Sequence, residues 1–330
     1  MKKIIYLFLA IFILASCDQD SQRLMPSSTG SPGHILIIME KQKWKYTAGE
    51  IVREAFDKDY EILPQSEPVF DYSNVPNEAY SKLLKRTRNI LYTQISVNVK
   101  KPEVLISYDK YSSPQLIITV KAKDINEFNE TFKKYSDRIV YSFEKAERNR
   151  LIKGYSGKLL NKNIKSILEK NHKYTLNVPK GYKLDVDSSN FVWISRETPW
   201  SSQGLLIWDY PYRDTSELHL ENLLNKRDEI TGKHIPGPAD SSYMTTERLI
   251  DPEYKEFLLN NVYTAEIRGL WKVAGAKGVF MGGPYINLST VDQKRNRIIT
   301  VDGYVYGGKK KKRDLLRQVL AVMYTLKFDE

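Results

Sequence analysis

DINEFNETFKKYSDRIVYSF, running from Asp124 to Phe143, carries the clearest periodicity in the chain. Ile125, Phe128, Phe132, Tyr135, Ile139 and Phe143 follow at steps of 3, 4, 3, 4 and 4, which places them on one stripe of an α-helix facing a core. Asp124 and Glu127 stand at N-cap and N3 spacing for a capping box. A helix with that stripe needs a sheet to bury it, and the flanking sequence supplies strands.

Upstream, Ile35 to Ile38 is a short apolar run between Gly33 and Glu40 and reads as a buried strand. A helix over 47–56 is expected next, then a loop punctuated by Pro64, Pro68 and Pro76, a second helix over 77–88 and a strand over 90–99. Residues 104–108 and 116–120 read as a hairpin around Ser112-Ser113-Pro114. Downstream, 145–172 is basic, contains Gly154 and Gly157, lacks strand signals, and holds the expected module boundary. Strands are expected over 174–178, 191–195, 204–209, 262–270, 285–290 and 297–306. Asp214 and Glu217 repeat the capping-box spacing before a helix with Leu220, Leu223, Leu224 and Ile230, ended by Gly232, and a loop over 233–247 follows. A last helix carries Leu315, Leu316, Val319, Leu320, Met323 and Leu326 on one face.

Hairpins with helices gathered at segment ends define an α+β protein of two antiparallel-sheet modules, each closed by a C-terminal amphipathic helix. The element order of the second half resembles PsbP/Mog1-type α/β/α sandwiches. The expected organisation is a signal peptide over 1–16, Cys17 with a flexible tether over 17–33, an N-terminal α+β module over 34–155 and a C-terminal one over 156–330.

The amino terminus gives an address. Lys2 and Lys3 precede an apolar run from Ile4 to Leu14, too short for a spanning helix and of the length of a secretory signal. Its end, Leu14-Ala15-Ser16-Cys17, resembles the lipobox of bacterial lipoproteins. That resemblance implies cleavage before Cys17 and diacylglycerol on its thiol. Asp18 beside Cys17 resembles an inner-membrane retention signal of enteric bacteria, while Asp18 with Asp20 resembles the acidic export signals of Bacteroidota lipoproteins. The expected location is the cell envelope, lipid-anchored at the outer membrane, with the leaflet open. Ser21 to Gly33 is rich in Ser, Pro and Gly and reads as the tether.

Composition narrows the function classes. The 330 residues are 41% hydrophobic and 28% charged, values of a globular chain that exclude collagen and pervasive disorder. Cys17 is the one cysteine, so an acylated mature body has no disulfide, no Cys-based zinc site and no thiol nucleophile. Lys and Arg number 51 against 40 Asp and Glu, but export argues against nucleic acid as the partner of that basic charge. The expected partners are the membrane, through the lipid on Cys17, and an envelope protein, glycan or lipopolysaccharide. No cofactor and no metal is expected.

Catalytic signatures mostly fail. Ser142-Phe143-Glu144-Lys145 matches S-x-x-K without its companion S-D-N and K-T-G motifs, near the C-terminal end of the Asp124 helix where the dipole disfavours an anion. Asp185-Val186-Asp187 begins like a calcium loop, but Asn190 and Arg196 occupy positions that require Gly and Glu, so it reads as a turn. His34, His172, His219 and His234 form no i, i+4 pair. Lys309, Lys310, Lys311, Lys312 and Arg313 form a basic run before the last helix, read either as a contact for an anionic surface or as a solvated loop.

Residues 227–308 are the most informative. His234-Ile235-Pro236-Gly237-Pro238-Ala239-Asp240 leads into Ser241-Ser242-Tyr243-Met244-Thr245-Thr246-Glu247. Arg268-Gly269-Leu270-Trp271 and Met281-Gly282-Gly283-Pro284 follow. Pro and Gly fix loop shapes that can line a cleft or serve as rigid connections. For a cleft, Arg227, Asp228, His234, Asp240, Tyr243, Arg268 and Trp271 are the candidate ligand-binding residues. Arg and Asp suit carboxylates or sugar hydroxyls, and Trp and Tyr offer stacking faces.

These motifs, with Gln65-Ser66-Glu67-Pro68-Val69-Phe70-Asp71, Phe191-Val192-Trp193 and the basic residues before the last helix, resemble a Bacteroidota lipoprotein family classed as a domain of unknown function. The resemblance covers nearly the whole mature chain. It implies a Gram-negative envelope lipoprotein and brings no catalytic residue. The expected function is therefore a non-enzymatic binding or assembly factor anchored by Cys17. The alternative is an envelope hydrolase or glycan-modifying enzyme using His234, Asp240 and Glu247.

Overall fold

The computed structural model describes residues 25–60 and 62–329, so the signal peptide and Cys17 lie outside the described residues. In chain order come β1 (His34–Ile38), α1 (Lys41–Lys45), α2 (Thr47–Asp57), β2 (Asp71–Val75), β3 (Asn89–Ile95), β4 (Glu103–Tyr108), β5 (Leu116–Ala122), α3 (Ile125–Ser156) and α4 (Lys162–His172). Then follow β6 (Tyr174–Thr175), β7 (Lys183–Ser188), β8 (Phe191–Glu197), β9 (Ser202–Pro211), α5 (Leu220–His234), β10 (Tyr243–Thr246), β11 (Glu253–Leu259), β12 (Val262–Ala274), β13 (Gly282–Asp292), β14 (Arg297–Tyr306), α6 (Arg313–Met323) and β15 (Lys327–Phe328). The α+β class holds.

The first sheet has the order β2-β1-β3-β5-β4. Its β4–β5 hairpin forms as expected, with Tyr108 opposite Leu116. The remaining pairs, β1 with β2, β1 with β3, and β3 with β5, are parallel, which departs from the antiparallel module expected. The reason lies in the strands: β1 is an unbroken apolar run, and the first three residues of β3 and β5 are likewise buried on both faces, as parallel strands are. The helix expected over 77–88 is two 3-10 turns, Asn77–Ala79 and Leu84–Arg86. Its few apolar residues make no stripe, and Tyr80 and Leu84 instead pack over Leu36, Ile38 and Ile90 on the sheet. Residues 27–33, read as tether, lie on the body, with Ser28 N donating to Ser113 O and Thr29 N to Arg86 O.

Asp124 caps α3 as predicted, accepting from Glu127 N at 2.9 Å, but the helix runs 32 residues, through the basic stretch, to Ser156. Its stripe continues into Tyr155, and the buried Glu147 holds Arg88 and Arg150, each at 2.8 Å. The charge of 145–156 is thus partly internal, and it hid the helical period. In the second half, Asp185 to Asp187 lie on β7, not in a turn, and Asp187 Oδ1 sits 2.6 Å from His172 Nε2. Gly232 lies inside α5, which ends at His234 with Ile235 as its C-cap, and the loop expected over 233–247 contains β10.

The second sheet is antiparallel, in the order β10-β12-β13-β14-β9-β8-β7, with β11 also on β12. Alternation sends Leu205, Ile207, Ile299 and Val301 toward α6, and Leu206, Trp208, Ile298 and Tyr304 toward Leu223 and Leu224 of α5. This half is therefore an α/β/α sandwich. Gly303 permits the close approach of α6, because a Cβ there would lie 2.2 Å from Val319 Cγ1. Helix α3 touches both the first sheet and α6, so one apolar cluster runs from Ile35 through Phe143 to Met323.

The two halves are joined by polar contacts at the start of α6. Glu67, 4% exposed, accepts from Lys312 N at 2.5 Å and Arg313 N at 3.2 Å, placing a carboxylate where the orphan amides and helix dipole favour it. Arg313 donates to Pro68 O at 2.7 Å and to Asp71 Oδ2 at 2.9 Å, and Arg317 donates to Val69 O at 2.6 Å. Burial works against ionisation of Asp71, but Arg313 and Lys311 outweigh it and hold its pKa below the usual carboxylate value.

Replacing Glu67 by Ala should destabilise the chain by about 2–3 kcal/mol in chemical denaturation, since two buried amides lose their acceptor. Asp71 makes a separate, pH-dependent contribution. Its folded pKa is depressed, so its stabilisation is complete above the unfolded value of about 4 and is lost as pH falls through the lower folded value. The stability gap between wild type and Asp71→Asn should close as pH is lowered through that window.

Candidate functional site

The structure disperses the residues expected around a 234–247 cleft. Arg227, on α5, is fully buried and forms a bidentate pair with Asp302 of β14, Nε to Oδ2 at 2.8 Å and Nη2 to Oδ1 at 3.3 Å. Its guanidinium lies 3.6 Å from the Tyr285 ring centroid, and Nη1 reaches Thr246 Oγ1 at 3.1 Å. Burial opposes the Arg227 charge, but Asp302 and then Tyr285 outweigh it and raise the pKa. Asn287 Nδ2 donates to Asp302 at 3.0 Å. Arg227 is thus a core ion pair inside the sandwich, away from solvent.

The neighbours serve packing in the same way. Asp228 accepts from Thr246 N at 2.7 Å and Arg248 Nη2 at 2.8 Å, contacts that outweigh burial and lower its pKa. Arg268 is buried with its Nε 2.7 Å from Glu266. Trp271 is buried and donates to Val305 O at 3.2 Å. His234 stacks on Phe191 at 4.1 Å, and burial, then Lys233, lower its pKa. Asp240 and Tyr243 are exposed. Glu247 accepts from Leu249 N and holds Lys272 at 3.2 Å. His234, Asp240 and Glu247 share no hydrogen bond, and among the described residues no three His, Cys, Asp or Glu cluster as metal ligands. Ser142 gives its hydroxyl to Arg138 O.

The basic run also divides. Lys309, Lys310 and Lys311 are exposed, whereas Lys312 and Arg313 are each 1% exposed and belong to the joint with residues 65–71. Those two cannot meet an outside surface, because Lys312 Nζ is held by Gln65, Gly308 O and Lys310 O.

The convergent surface is elsewhere, on the first sheet. Helices α2 and α3 cover one face; on the other, only the 3-10 turns cover the β1 side. Toward β4 the face is open, a groove of about 410 Å³. Register builds its floor in rows: Tyr92–Thr119–Leu105, Gln94–Lys121–Glu103 and Ile90–Ile117–Ser107. Tyr80, Lys85, Lys110 and Tyr111 form the wall. Tyr80 packs on Tyr92 at 5.8 Å, and Lys85 lies 5.6 Å from both the Tyr80 and Tyr111 rings. Burial, then Tyr111 and Tyr92, raise the Tyr80 pKa, so the phenol stays protonated at neutral pH. Of the lining cations, Lys121 is paired with Glu103 at 2.9 Å. The groove offers stacking faces, hydroxyls, an amide and ammonium groups.

None of these groove residues was singled out in the sequence. The usable signal was the alternation in Leu116 to Lys121, where Thr119 and Lys121 interrupt an apolar strand on one side only. Three further cavities lie between β4 and α3 (about 290 Å³), at Leu259–Thr264 against Leu326–Phe328 (about 370 Å³) and at Tyr212–Leu218 against Tyr263 and Val291 (about 440 Å³). The last two are mainly apolar, and none of the four is lined by the seven residues expected to bind.

An α+β body with this sandwich is matched over residues 161–325 by the family described as Domain of unknown function (DUF4837), and the chain belongs to that family. Residues 28–156 match a second description, Domain of unknown function (DUF8532). A crystal structure of a protein from Bacteroides thetaiotaomicron VPI-5482 aligns with TM-score 0.25 and 9% identity. The alignment covers 48% of this chain and 46% of that one, so the chain spans less than half of that protein's length. Among curated proteins, none matches this chain. Among the described residues, no helix is long and apolar enough to cross a membrane.

The Arg227–Asp302 pair gives a stability test. Arg227→Met should destabilise the chain by about 3–5 kcal/mol in denaturant titrations, because Asp302 is left as a buried, uncompensated charge. Adding Asp302→Leu should recover part of that loss.

Proposed function

We propose that this chain is a cell-envelope lipoprotein, anchored at the outer membrane through Cys17, that binds an anionic glycan without transforming it. The observation that carries the binding is the open face of the first sheet, where three tyrosines and three lysines surround Gln94, Ser107 and Thr119 in a groove of about 410 Å³. Tyrosine rings stack on the apolar faces of pyranoses while their hydroxyls bond to sugar hydroxyls. Lysines add attraction for the phosphates or carboxylates of lipopolysaccharide and peptidoglycan sugars. The lipid anchor is supported by the basic flank, the apolar run and Leu14-Ala15-Ser16-Cys17.

The test is titration calorimetry with phosphorylated or uronic-acid oligosaccharides and their neutral counterparts. Saturable binding of the charged sugars, weakened at least about tenfold by Tyr92→Ala or Lys85→Ala, is expected. No binding, or binding that both variants retain, would sink the groove assignment. The anchor is checked independently by metabolic labelling with palmitate, which should be lost in Cys17→Ser.

A further inference from the structure

We infer that one end of the second sheet docks on an anionic bilayer surface. Strand register brings three turns to that end: 198–201 between β8 and β9, 275–281 between β12 and β13, and 307–311 after β14. Trp200, 72% exposed, and Phe280, 97% exposed, stand at two of them. The hairpin axes are three strand spacings apart, about 14 Å. The Trp200 turn is pinned, Thr198 N donating to Ser201 O at 2.9 Å and Thr198 Oγ1 accepting from Ser201 N at 3.0 Å.

Charge surrounds these rings. Lys310 Nζ lies 5.5 Å from the Trp200 ring, and Lys277, Lys309 and Lys311 are exposed beside it on the same end. Lys311 reaches Asp71 at 3.6 Å, but among the described residues no carboxylate lies within 4 Å of Lys277, Lys309 or Lys310. Asp185, Asp240 and Glu197, the last bonded to Ser202, are exposed carboxylates toward this end, and the part-exposed Asp71 and Asp314 are held by Arg313. Exposed aromatic side chains on hairpin turns, with lysines beside them on the same end, fit a headgroup layer into which they can insert.

The chain approaches the body beside the same end. Lys311 meets Asp71 where β2 starts, and Ser27 and Thr29 lie on Ser113 and Thr87 just before β5 and β3 start. Met25 lies eight Cα steps after Cys17, a reach of at most about 28 Å. The orientation on the membrane rests on the proposed lipid at Cys17; binding by the turns does not.

Residues 18–330 without lipid, which keep every described element, should therefore co-sediment with vesicles of phosphatidylcholine and phosphatidylglycerol at about 3:1. Binding should weaken at least about tenfold in Lys309→Glu/Lys310→Glu, in Trp200→Ser/Phe280→Ser, and for wild type at about 0.5 M salt. Because these side chains are exposed, thermal melts of the variants should match wild type. Absent binding, equal binding to phosphatidylcholine alone, or variants that bind like wild type would each overturn the inference. A missing palmitate label would remove the anchor and leave the vesicle result standing, so the two failures are distinguishable.

Discussion

A desolvated carboxylate at a helix start holds this molecule together. Glu67 comes from a proline-bounded segment of the first half, and the amides it accepts from open α6 of the second. Because burial leaves no water to replace it, the carboxylate fixes where α6 begins and how it lies against residues 65–71. From there Arg313 and Arg317 reach the carbonyls of Pro68 and Val69, and the α6 apolar face closes over Gly303. The basic sequence before α6, which by itself opposes the helix dipole, is tolerated because the first half supplies the anion.

The second half organises its interior around another buried ion pair. Arg227 and Asp302 link α5 to the centre of the sheet, with Asn287, Thr246 and the Tyr285 ring completing their surroundings. Residue types that would suit a carboxylate ligand therefore serve the protein's own carboxylate. The first sheet shows the opposite arrangement, with lysines and tyrosines facing outward over an uncovered floor.

Much of the fold was legible because apolar periodicity reports burial directly. The Asp124 cap, the β4–β5 hairpin, β14 and the last helix lie where alternation or the helical period put them. Strand direction was not legible: the unbroken apolar run of Ile35 to Ile38 reports burial on both faces, which parallel strands favour, but does not name the partner strands. The continuation of α3 past Phe143 was masked because Glu147 and Arg150 are charged yet turned inward. The candidate site was legible least of all. Its residues come from four segments, Tyr80–Lys85, Tyr92–Gln94, Leu105–Tyr111 and Ile117–Lys121, which parallel β3–β5 pairing, the β4–β5 hairpin and the packing of the 3-10 turns bring together. The Pro-Gly-Pro loop has a fixed shape, but Arg227, Asp228 and Arg268 pair with the protein's own groups, while Asp240 and Tyr243 face solvent.

Helix α3, 32 residues and so about 48 Å long, is shared property. It lies in the segment matched by one family description, while part of what it covers lies in the segment matched by the other. Neither segment closes its own apolar face without its neighbour, so the two share one core. Residues 65–71 and 312–317 fold against each other, so a recombination joint placed between them at 157–160 would separate contacting partners.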